Sequence, residues 1–177
     1  ARVARTIGVL DAWNPNANDV VRALALDGAG SIFVGGSFTN INGVARMRLA
    51  KVSTGAAATV DPGFSADANS DVRAMLIGPS NTLYVGGTFT SISGLGRPGF
   101  VRLTTTGAPD PSWNTFLQSF YVYALQNAPG GLYVGGNYFD IGGQPRTQIA
   151  RVSHAGVVAD LFSPNLNGAV LAIAAGN

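Results

Sequence analysis

Several residue types are scarce or missing from this 177-residue sequence. There is no cysteine and no glutamate, lysine occurs once, at Lys51, and histidine occurs once, at His154. Without cysteine no disulfide can stabilise the fold, and with a single histidine a transition-metal site is not expected. Because glutamate and lysine are two of the best surface helix formers, their near absence disfavours long helices.

Charge and long apolar runs are also limited. Charged residues make up 11% of the chain, where about 25% is usual, and the formal net charge is +2. So small an excess of positive charge does not indicate a nucleic-acid partner. The longest apolar run, GAVLAIAAG near the C-terminus, is less than half the roughly 20 residues that a membrane-spanning helix needs. We therefore expect no transmembrane segment.

The residue types that are abundant favour β-structure. The sequence has 24 glycines and 9 prolines, which indicate frequent turns, and it is well supplied with Val, Thr, Phe and Tyr. Its polarity comes mainly from Asn, Ser, Thr and Gly, which suits a secreted or cell-surface protein. The composition predicts an all-β fold.

One pattern recurs about every 50 residues. It begins with VRAL at 21–24, VRAM at 72–75, VYAL at 122–125 and VLAI at 170–173, and its middle is the triplet VGG at 34–36, 85–87 and 134–136. Each copy ends at a large aromatic residue, and these are Trp13, Phe64, Trp113 and Phe162. A period of this length is the size of one β-propeller blade.

Each period contains three or four short strand patterns. VRALALD alternates apolar and polar residues, SIFVGGSF suits a buried central strand, and RLAKVS alternates again. The stretch TVDPGFSAD is suited to an outer edge strand. The glycine pair of the VGG triplet, in the central strand, predicts a bulge or the close approach of a neighbouring backbone. Such small antiparallel sheets bury both faces only when they stack, and radial stacking gives a β-propeller.

The predicted domain is a single propeller or propeller fragment over residues 1–177. Its expected parts are a half-blade at 1–19, blades at 20–70, 71–120 and 121–168, and the first strand of a further blade at 169–177. Joining the two ends would give a blade without a VGG strand, so the fold is expected to be incomplete as given. Either the sequence is an excerpt of a longer propeller, or the half-blades pair between chains, since unpaired strand edges invite pairing.

The order of these submotifs resembles the delta-60 repeat family of bacterial β-propeller-like proteins. The resemblance lies in V-R-A-[apolar]-A, then [apolar]-V-G-G-x-F, then [apolar]-A-R-[apolar], then D-x-x-F. It implies exported, often surface-associated proteins and no particular catalytic residue. Two kinds of departure occur: Asp11 and Asp160 stand two residues before their aromatic instead of three, and Tyr123 and Leu171 replace the arginine of VRA.

Two repeated cation positions are candidates for ligand binding. Arg46, Arg97 and Arg146 each follow a turn glycine by three residues, and a second position holds Arg2, Lys51, Arg102 and Arg151. They could bind anionic polysaccharide or phosphate, and Arg46, Arg97 and Arg146 are the predicted ligand-binding face. The favoured interpretation is structural, in which the cations pair with the recurrent aspartate or with loop carbonyls and fix one blade against the next.

The repeated acids and aromatics are also interpreted structurally. Asp11, Asp61, Asp110 and Asp160 could in principle supply paired carboxylates for glycoside chemistry, but four equivalent copies indicate a role in turns. Trp13, Phe64, Trp113 and Phe162 could form a sugar-stacking platform, but their regular spacing favours a core between blades.

One stretch suggests a metal ion. DANSD at 67–71 places Asp67, Asn69 and Asp71 at alternating positions, which is the opening of a calcium loop. Val72 stands where the turn glycine belongs, and no glutamate is available to complete the site, so an ordinary polar loop is the favoured interpretation. Calcium is the one possible cofactor.

The sequence is consistent with three functions. The first is a non-catalytic extracellular or cell-surface scaffold that binds a protein or glycan ligand. The second is a structural subunit that forms homo-oligomers by completing half-blades between chains. The third and least favoured is a polysaccharide-active enzyme, for which the non-repeated acids are Asp19, Asp27, Asp67, Asp71 and Asp140; we expect no catalytic residue.

Overall fold

The structure is a computed structural model that describes residues 12–113, 115, 117, 121–159 and 161–175. These residues form short antiparallel strands, one 3-10 turn at Pro79–Asn81 and no α-helix. None of them belongs to a helix that is long and apolar enough to span a lipid bilayer.

Three sheets of three strands repeat the same order of inner, central and outer strand. Blade 1 contains β1 (Val21–Leu26), β2 (Ser31–Gly36) and β5 (Leu49–Ser53). Blade 2 contains β6 (Val72–Ile77), β7 (Leu83–Gly87) and β10 (Phe100–Leu103). Blade 3 contains β11 (Tyr121–Ala128), β12 (Gly131–Asn137) and β15 (Ile149–Ser153).

A small hairpin separates the central strand from the outer strand in every blade. The three hairpins are β3 (Asn40–Ile41) with β4 (Val44–Ala45), β8 (Ser91–Ile92) with β9 (Leu95–Gly96), and β13 (Asp140–Ile141) with β14 (Gln144–Pro145). Their tips carry residues with positive φ, such as Asn42 at 49° and Gly43 at 77°. Glycine and asparagine tolerate this left-handed conformation best, which explains the polar tips.

The predicted fourth strand is reduced to one residue in each blade. Val60 forms a single antiparallel bridge to Val52, and Pro109 and Val158 do the same in the other two blades. Beyond the first of these bridges the chain turns at once, because the Phe64 amide donates to the Asp61 carbonyl at 3.4 Å. The turn leads the chain away from the sheet before further pairing can form.

The blades lie side by side through their inner strands. β6 contacts both β1 and β11, and the buried core between blades 1 and 2 combines residues of both, among them Phe33, Leu49, Val85 and Phe89. Antiparallel blades arranged in this way are the architecture of a β-propeller, as predicted from the sequence. Blade 2 thus lies between blades 1 and 3, and the three described blades follow one another in a series.

The first glycine of each VGG triplet accommodates the next blade. A Cβ added at Gly86 would lie 2.4 Å from Cγ1 of Val122, a distance that real Cβ atoms do not show. The same relation joins Gly35 with Val72, Gly86 with Val122, and Gly135 with Val170. Val170 therefore lies against blade 3 as Val72 and Val122 lie against blades 1 and 2.

The second glycine of the triplet accommodates the inner strand of its own blade. A Cβ at Gly36 would lie 2.0 Å from the carbonyl oxygen of Val20, and one at Gly87 would lie 2.1 Å from that of Asp71. The pairing register shifts at the same place, between Val21 and Ala23 in blade 1. Both features that the glycine pair predicts, a bulge and a close backbone approach, are therefore present.

Three of the four blade-end aromatics pack edge-on or tilted against an aromatic of a central strand. Ring centroids are 5.1 Å apart for Phe33 and Phe64, 5.5 Å for Tyr84 and Trp113, and 5.1 Å for Tyr133 and Phe162. Phe64 and Trp113 are buried in the cores that lead to the next blade. Trp13 is buried against blade 1, where its indole N–H donates to the Ser53 carbonyl at 2.8 Å.

Candidate ligand-binding site

The second repeated cation position contacts groups of the protein itself. The Lys51 ammonium lies 3.4 Å from Asp27 Oδ2 and 3.6 Å from Asp61 Oδ2. In blade 2, Nε and Nη2 of Arg102 donate to Asp110 Oδ2 at 3.0 and 2.7 Å. In blade 3, Arg151 donates to the Pro129 carbonyl. The fourth member, Arg2, lies outside the described residues.

Arg102 also joins two blades. Its Nη1 donates to the backbone carbonyl of His154 at 2.6 Å, and Nδ1 of His154 lies 3.1 Å from the Tyr84 hydroxyl. Tyr84 and Arg102 belong to blade 2, whereas His154 follows the last strand of blade 3. One guanidinium thus connects an aspartate of its own blade with the loop of the next.

Two of these aspartates, Asp27 and Asp110, stay ionised to lower pH than usual because their pKa values are lowered. Hydrogen bonds from the Ser112 hydroxyl and amide, together with Arg102, outweigh burial and lower the pKa of Asp110. Burial alone would raise the pKa of Asp27, but the amides of Ala29 and Ser31, with Lys51, lower it overall. These carboxylates are therefore held as anions within the fold.

The repeated aspartates also accept hydrogen bonds from turn amides. Asp61 Oδ1 accepts from the Gly63 amide at 2.8 Å, and Asp110 Oδ1 accepts from the Ser112 amide at 2.9 Å. Asp11 and Asp160, the other two members of this set, lie outside the described residues.

The three arginines of the predicted ligand-binding face donate to backbone carbonyls. Nη1 of Arg46 and Arg97 donates to the preceding residue's carbonyl at 3.0 Å in both cases, and Nη1 of Arg146 does so at 2.7 Å. Nη2 of Arg46 and of Arg146 also reaches the outer edge of its own blade, at the carbonyls of Asp61 and Ala159, at 3.4 and 3.1 Å. Arg146 is buried. The Nη2 contacts tie the hairpins of blades 1 and 3 to the edges of their blades, whereas the contact of Arg97 lies within its own hairpin.

The three residues predicted to bind calcium form hydrogen bonds or ion pairs with other groups of the protein. Asn69 Oδ1 accepts from the amides of Thr90 and Ser91 at 2.9 and 3.1 Å, and Asp67 Oδ1 accepts from the Met47 amide at 3.0 Å. Asp71 is ion-paired with arginine. No group of three or more acidic, histidine or cysteine side chains in the described part of the chain could hold a metal ion. Calcium binding stays a prediction, and these contacts count against it.

A different set of residues meets at the inner edge of the blades. An open depression of ≈ 350 Å³, which we call the axial depression, is lined by Val20, Val21, Arg22, Arg73, Tyr123 and Leu171. Residues 22, 73, 123 and 171 occupy the same position in four successive copies of the inner-strand motif. The propeller architecture therefore brings one side chain from each copy to a common point.

The polar groups of the axial depression form a small charged cluster. Nε of Arg22 lies 3.0 Å from Asp71 Oδ2 and donates to the Ser37 hydroxyl at 3.2 Å. Nη2 of Arg73 lies 3.4 Å from the same Asp71 oxygen, and its guanidinium carbon lies 5.5 Å from the centroid of the Tyr123 ring. Both arginine side chains keep about a third of their surface exposed.

Sequence reasoning did not identify the axial depression. It recorded Tyr123 and Leu171 as departures from the VRA motif, although a position that varies while its neighbours repeat is a signal for a specific site. Val72 and Val122, which precede residues 73 and 123, are fully buried and packed on glycine, so they are fixed by the fold. The adjacent side chain points to the axis and is free to differ.

Comparison with known families supports the propeller architecture. The family model described as "Domain of unknown function (DUF5122) beta-propeller" matches residues 30–55 and 78–112. The matched stretches include the central strands of blades 1 and 2 with their VGG triplets. No curated protein and no solved structure matches the chain. The chain is thus similar to a β-propeller family, in agreement with its antiparallel blades.

Proposed function

We propose that this chain is a non-catalytic binding scaffold of a secreted or cell-surface bacterial protein of the delta-60 repeat type. The ligand is a protein or a glycan, held at the axial depression. This function rests on one observation. The axial position carries a different side chain in most copies, while Val72 and Val122, which precede two of these residues, are fixed by packing. The four axial residues are Arg22, Arg73, Tyr123 and Leu171. Propellers commonly present their ligand sites where side chains from several blades converge.

The contacts of the repeated arginines support a ligand site at the axial depression, because these arginines are already bonded within the fold. Arg46, Arg97 and Arg102 direct their terminal nitrogens at carbonyls or carboxylates of the protein. Within the described part of the chain, Arg22, by contrast, contacts other groups of the protein through Nε alone. The two terminal nitrogens of Arg22 are therefore the donors that a ligand can use without breaking the fold.

An array screen tests this function. The chain is applied to glycan and protein arrays beside two variants, Arg22→Gln and Arg46→Gln, each verified as folded by circular dichroism. We expect signals that Arg22→Gln reduces and Arg46→Gln leaves in place. Signals that disappear only with Arg46→Gln would return the ligand face to the hairpin arginines, and a chain that binds nothing would contradict a scaffold function.

A second candidate function, self-assembly, is favoured by the exposed side of blade 3. Tyr133 and Phe162 are half-buried there and line a cavity of ≈ 370 Å³ with Ile149, Ile173, Ala174 and Ala175. The equivalent Tyr84 and Trp113 are fully buried by the blade that follows. A strand supplied by another copy of the chain would cover this surface as a neighbouring blade does.

Sedimentation velocity over a hundredfold range of concentration tests assembly. Self-assembly predicts oligomers that grow with concentration and disappear when residues 170–177 are deleted. A chain that stays monomeric at every concentration would rule it out. The array screen and the sedimentation experiment are independent, so either function can fail alone.

A further inference from the structure

We propose that the axial depression binds a carboxylate-bearing saccharide, a sugar acid such as a uronate. This inference rests on the proposed scaffold function and names the ligand class of the same site. It follows from the charge, the hydrogen-bonding groups and the apolar surface that meet there.

The charge of the site matches one negative charge. Two guanidinium groups, of Arg22 and Arg73, share the single carboxylate of Asp71 at 3.0 and 3.4 Å. This cluster keeps one net positive charge. A monoanion neutralises it, whereas a phosphate monoester with nearly two charges would leave an excess of negative charge beside Asp71.

The available donors match a carboxylate in shape as well as in charge. The contacts of Arg22 with Asp71 and Ser37 are made through Nε, and its planar pair of terminal nitrogens has no partner among the described residues. That pair can donate two parallel hydrogen bonds to one carboxylate, which is the geometry in which arginine binds carboxylates most strongly. Arg73, whose guanidinium lies over Tyr123, adds charge from the neighbouring blade.

The acid in the cluster points to a ligand that also carries hydroxyl groups. Asp71 lies beside the lining residues and keeps 20% of its side chain exposed; both of its arginine contacts go to Oδ2, and no described residue donates to Oδ1, which leaves this oxygen as the acceptor for a ligand hydroxyl. A sugar acid offers a carboxylate for Arg22 and a neighbouring hydroxyl for Asp71 on the same ring. A sugar acid holds its hydroxyl groups at fixed positions on the ring that carries the carboxylate, whereas the donors of an acidic peptide are amides on a flexible chain that must be ordered on binding, so the cluster favours a saccharide over a peptide.

The remaining lining suits the apolar face of a sugar ring. Val20, Val21 and Leu171 are 50%, 41% and 71% exposed, and the ring of Tyr123 closes one side. The volume of ≈ 350 Å³ falls within the range of small-molecule sites, and apolar side chains stand beside the two guanidinium groups in the lining. The C–H face of a pyranose can cover this surface while its substituents meet the charged cluster.

Isothermal titration calorimetry with three probes tests the inference: trigalacturonic acid, its methyl ester, and a triaspartate peptide. We expect the acid to bind. The ester should bind more weakly, by a factor of about ten or more, because it has lost the charge-assisted hydrogen bonds. Triaspartate should bind more weakly than the acid. Added salt should weaken binding of the acid.

Three variants locate the site. Arg22→Gln should weaken binding of the acid about tenfold, and Arg22→Lys should restore only part of it, because lysine supplies charge without the paired donors. Arg97→Gln is the matched control at a hairpin arginine and should leave binding unchanged. Thermal unfolding of each variant confirms that it is folded.

The outcomes separate this inference from the function on which it rests. Equal binding of acid and ester, an unchanged affinity in Arg22→Gln, or tighter binding of triaspartate would overturn the sugar-acid assignment. Array ligands that are lost in Arg22→Gln but carry no carboxylate would overturn it too, while leaving the scaffold function intact. If the acid does not bind and the arrays show no ligand, both proposals fail.

Discussion

Blades 1 and 2 have nearly the same inner strand but different surroundings. Val21 of blade 1 is 41% exposed, whereas Val72 at the same position of blade 2 is fully buried. Leu24 is 56% exposed, whereas the equivalent Met75 is 9% exposed. β6 lies between β1 and β11, while β1 contacts one other inner strand in the part of the chain that is described. Burial of a strand here depends on its neighbours more than on its own sequence.

The outer strands of the two blades differ in the same way. Lys51 of blade 1 pairs with Asp27 and Asp61 of its own blade, whereas the equivalent Arg102 also reaches the His154 carbonyl of blade 3. In repeat proteins, stability is approximately a sum of terms within repeats and terms between neighbours. Equivalent substitutions should therefore cost more in blade 2 than in blade 1.

The largest effect is expected from the second glycine of the central strand. In Gly87→Ala the new Cβ would lie 2.1 Å from the Asp71 carbonyl oxygen, in a strand held from both sides. We expect a loss of about 3 kcal/mol or more in the free energy of unfolding, measured by urea denaturation. Gly36→Ala has the same clash in blade 1 and should cost less. Gly96→Ala, with nothing within 4 Å of the new atom, is the control and should be nearly neutral.

The inner-strand valines come next. Val72→Ala removes two buried methyl groups packed on Gly35, and we expect it to cost about 2.5 kcal/mol in the free energy of unfolding. Val21→Ala should cost less than about 0.5 kcal/mol because Val21 is already exposed. Equal costs in urea denaturation would show that the two strands are equally covered in solution.

The contact between blades 2 and 3 should have a smaller effect. Arg102→Gln loses the hydrogen bonds to Asp110 and to the His154 carbonyl, which together should contribute about 2 kcal/mol. Lys51→Gln loses two longer ion pairs within one blade and should cost less than about 1 kcal/mol. A Lys51 variant that is as unstable as the Arg102 variant would contradict the role of blade 3.

This contact should also depend on pH. The pKa of Asp110 is lowered by Ser112 and Arg102, so its contribution to stability is complete above the usual carboxyl pKa of about 4 and is lost as pH falls through the lower folded value. The stability difference between the wild type and Asp110→Asn should be constant above about pH 5 and should shrink below about pH 4. Urea denaturation between pH 3 and 7 measures it; a constant difference down to pH 3 would contradict the assignment.

The smallest effect is expected at the axial depression. Arg22→Gln should change the free energy of unfolding by less than about 0.5 kcal/mol, since the ion pair with Asp71 is partly exposed. Arg46→Gln, which loses two hydrogen bonds to backbone carbonyls, should cost about 1 kcal/mol. Thermal melts of the two variants side by side reveal which arginine supports the fold.

The fold could be predicted because its cause is local and repeated. Alternation of apolar residues, turn glycines and the VGG triplets recur in every copy, and each sets a strand, a turn or a close approach in the structure. The fourth strand, at the edge of each blade, was predicted too long. Its one paired residue, Val60, is followed at once by the Asp61–Phe64 turn, and the length of pairing at an edge depends on geometry that residue preference does not reveal.

The candidate site could be predicted much less well. Which side chains meet at the axis depends on how the blades are inclined to one another, and neither Arg22 nor Arg73 carries that information in its own sequence context. The proximity of Asp71 to both arginines is likewise a product of packing. Calcium was predicted for Asp71 from the spacing of polar residues within one loop. In the structure Asp71 pairs instead with Arg22 of the preceding blade and with Arg73.

The glycine pairs also separate what holds this molecule together from what it presents to others. Gly35 makes room for the side chain of Val72 and Gly36 for the carbonyl oxygen of Val20, so the packing of these strands depends on the glycines and the valine more than on the residue that follows the valine. If the proposed function holds, substitutions at Arg22, Arg73, Tyr123 and Leu171 would change what the axial depression binds and would leave the glycine and valine contacts between blades in place.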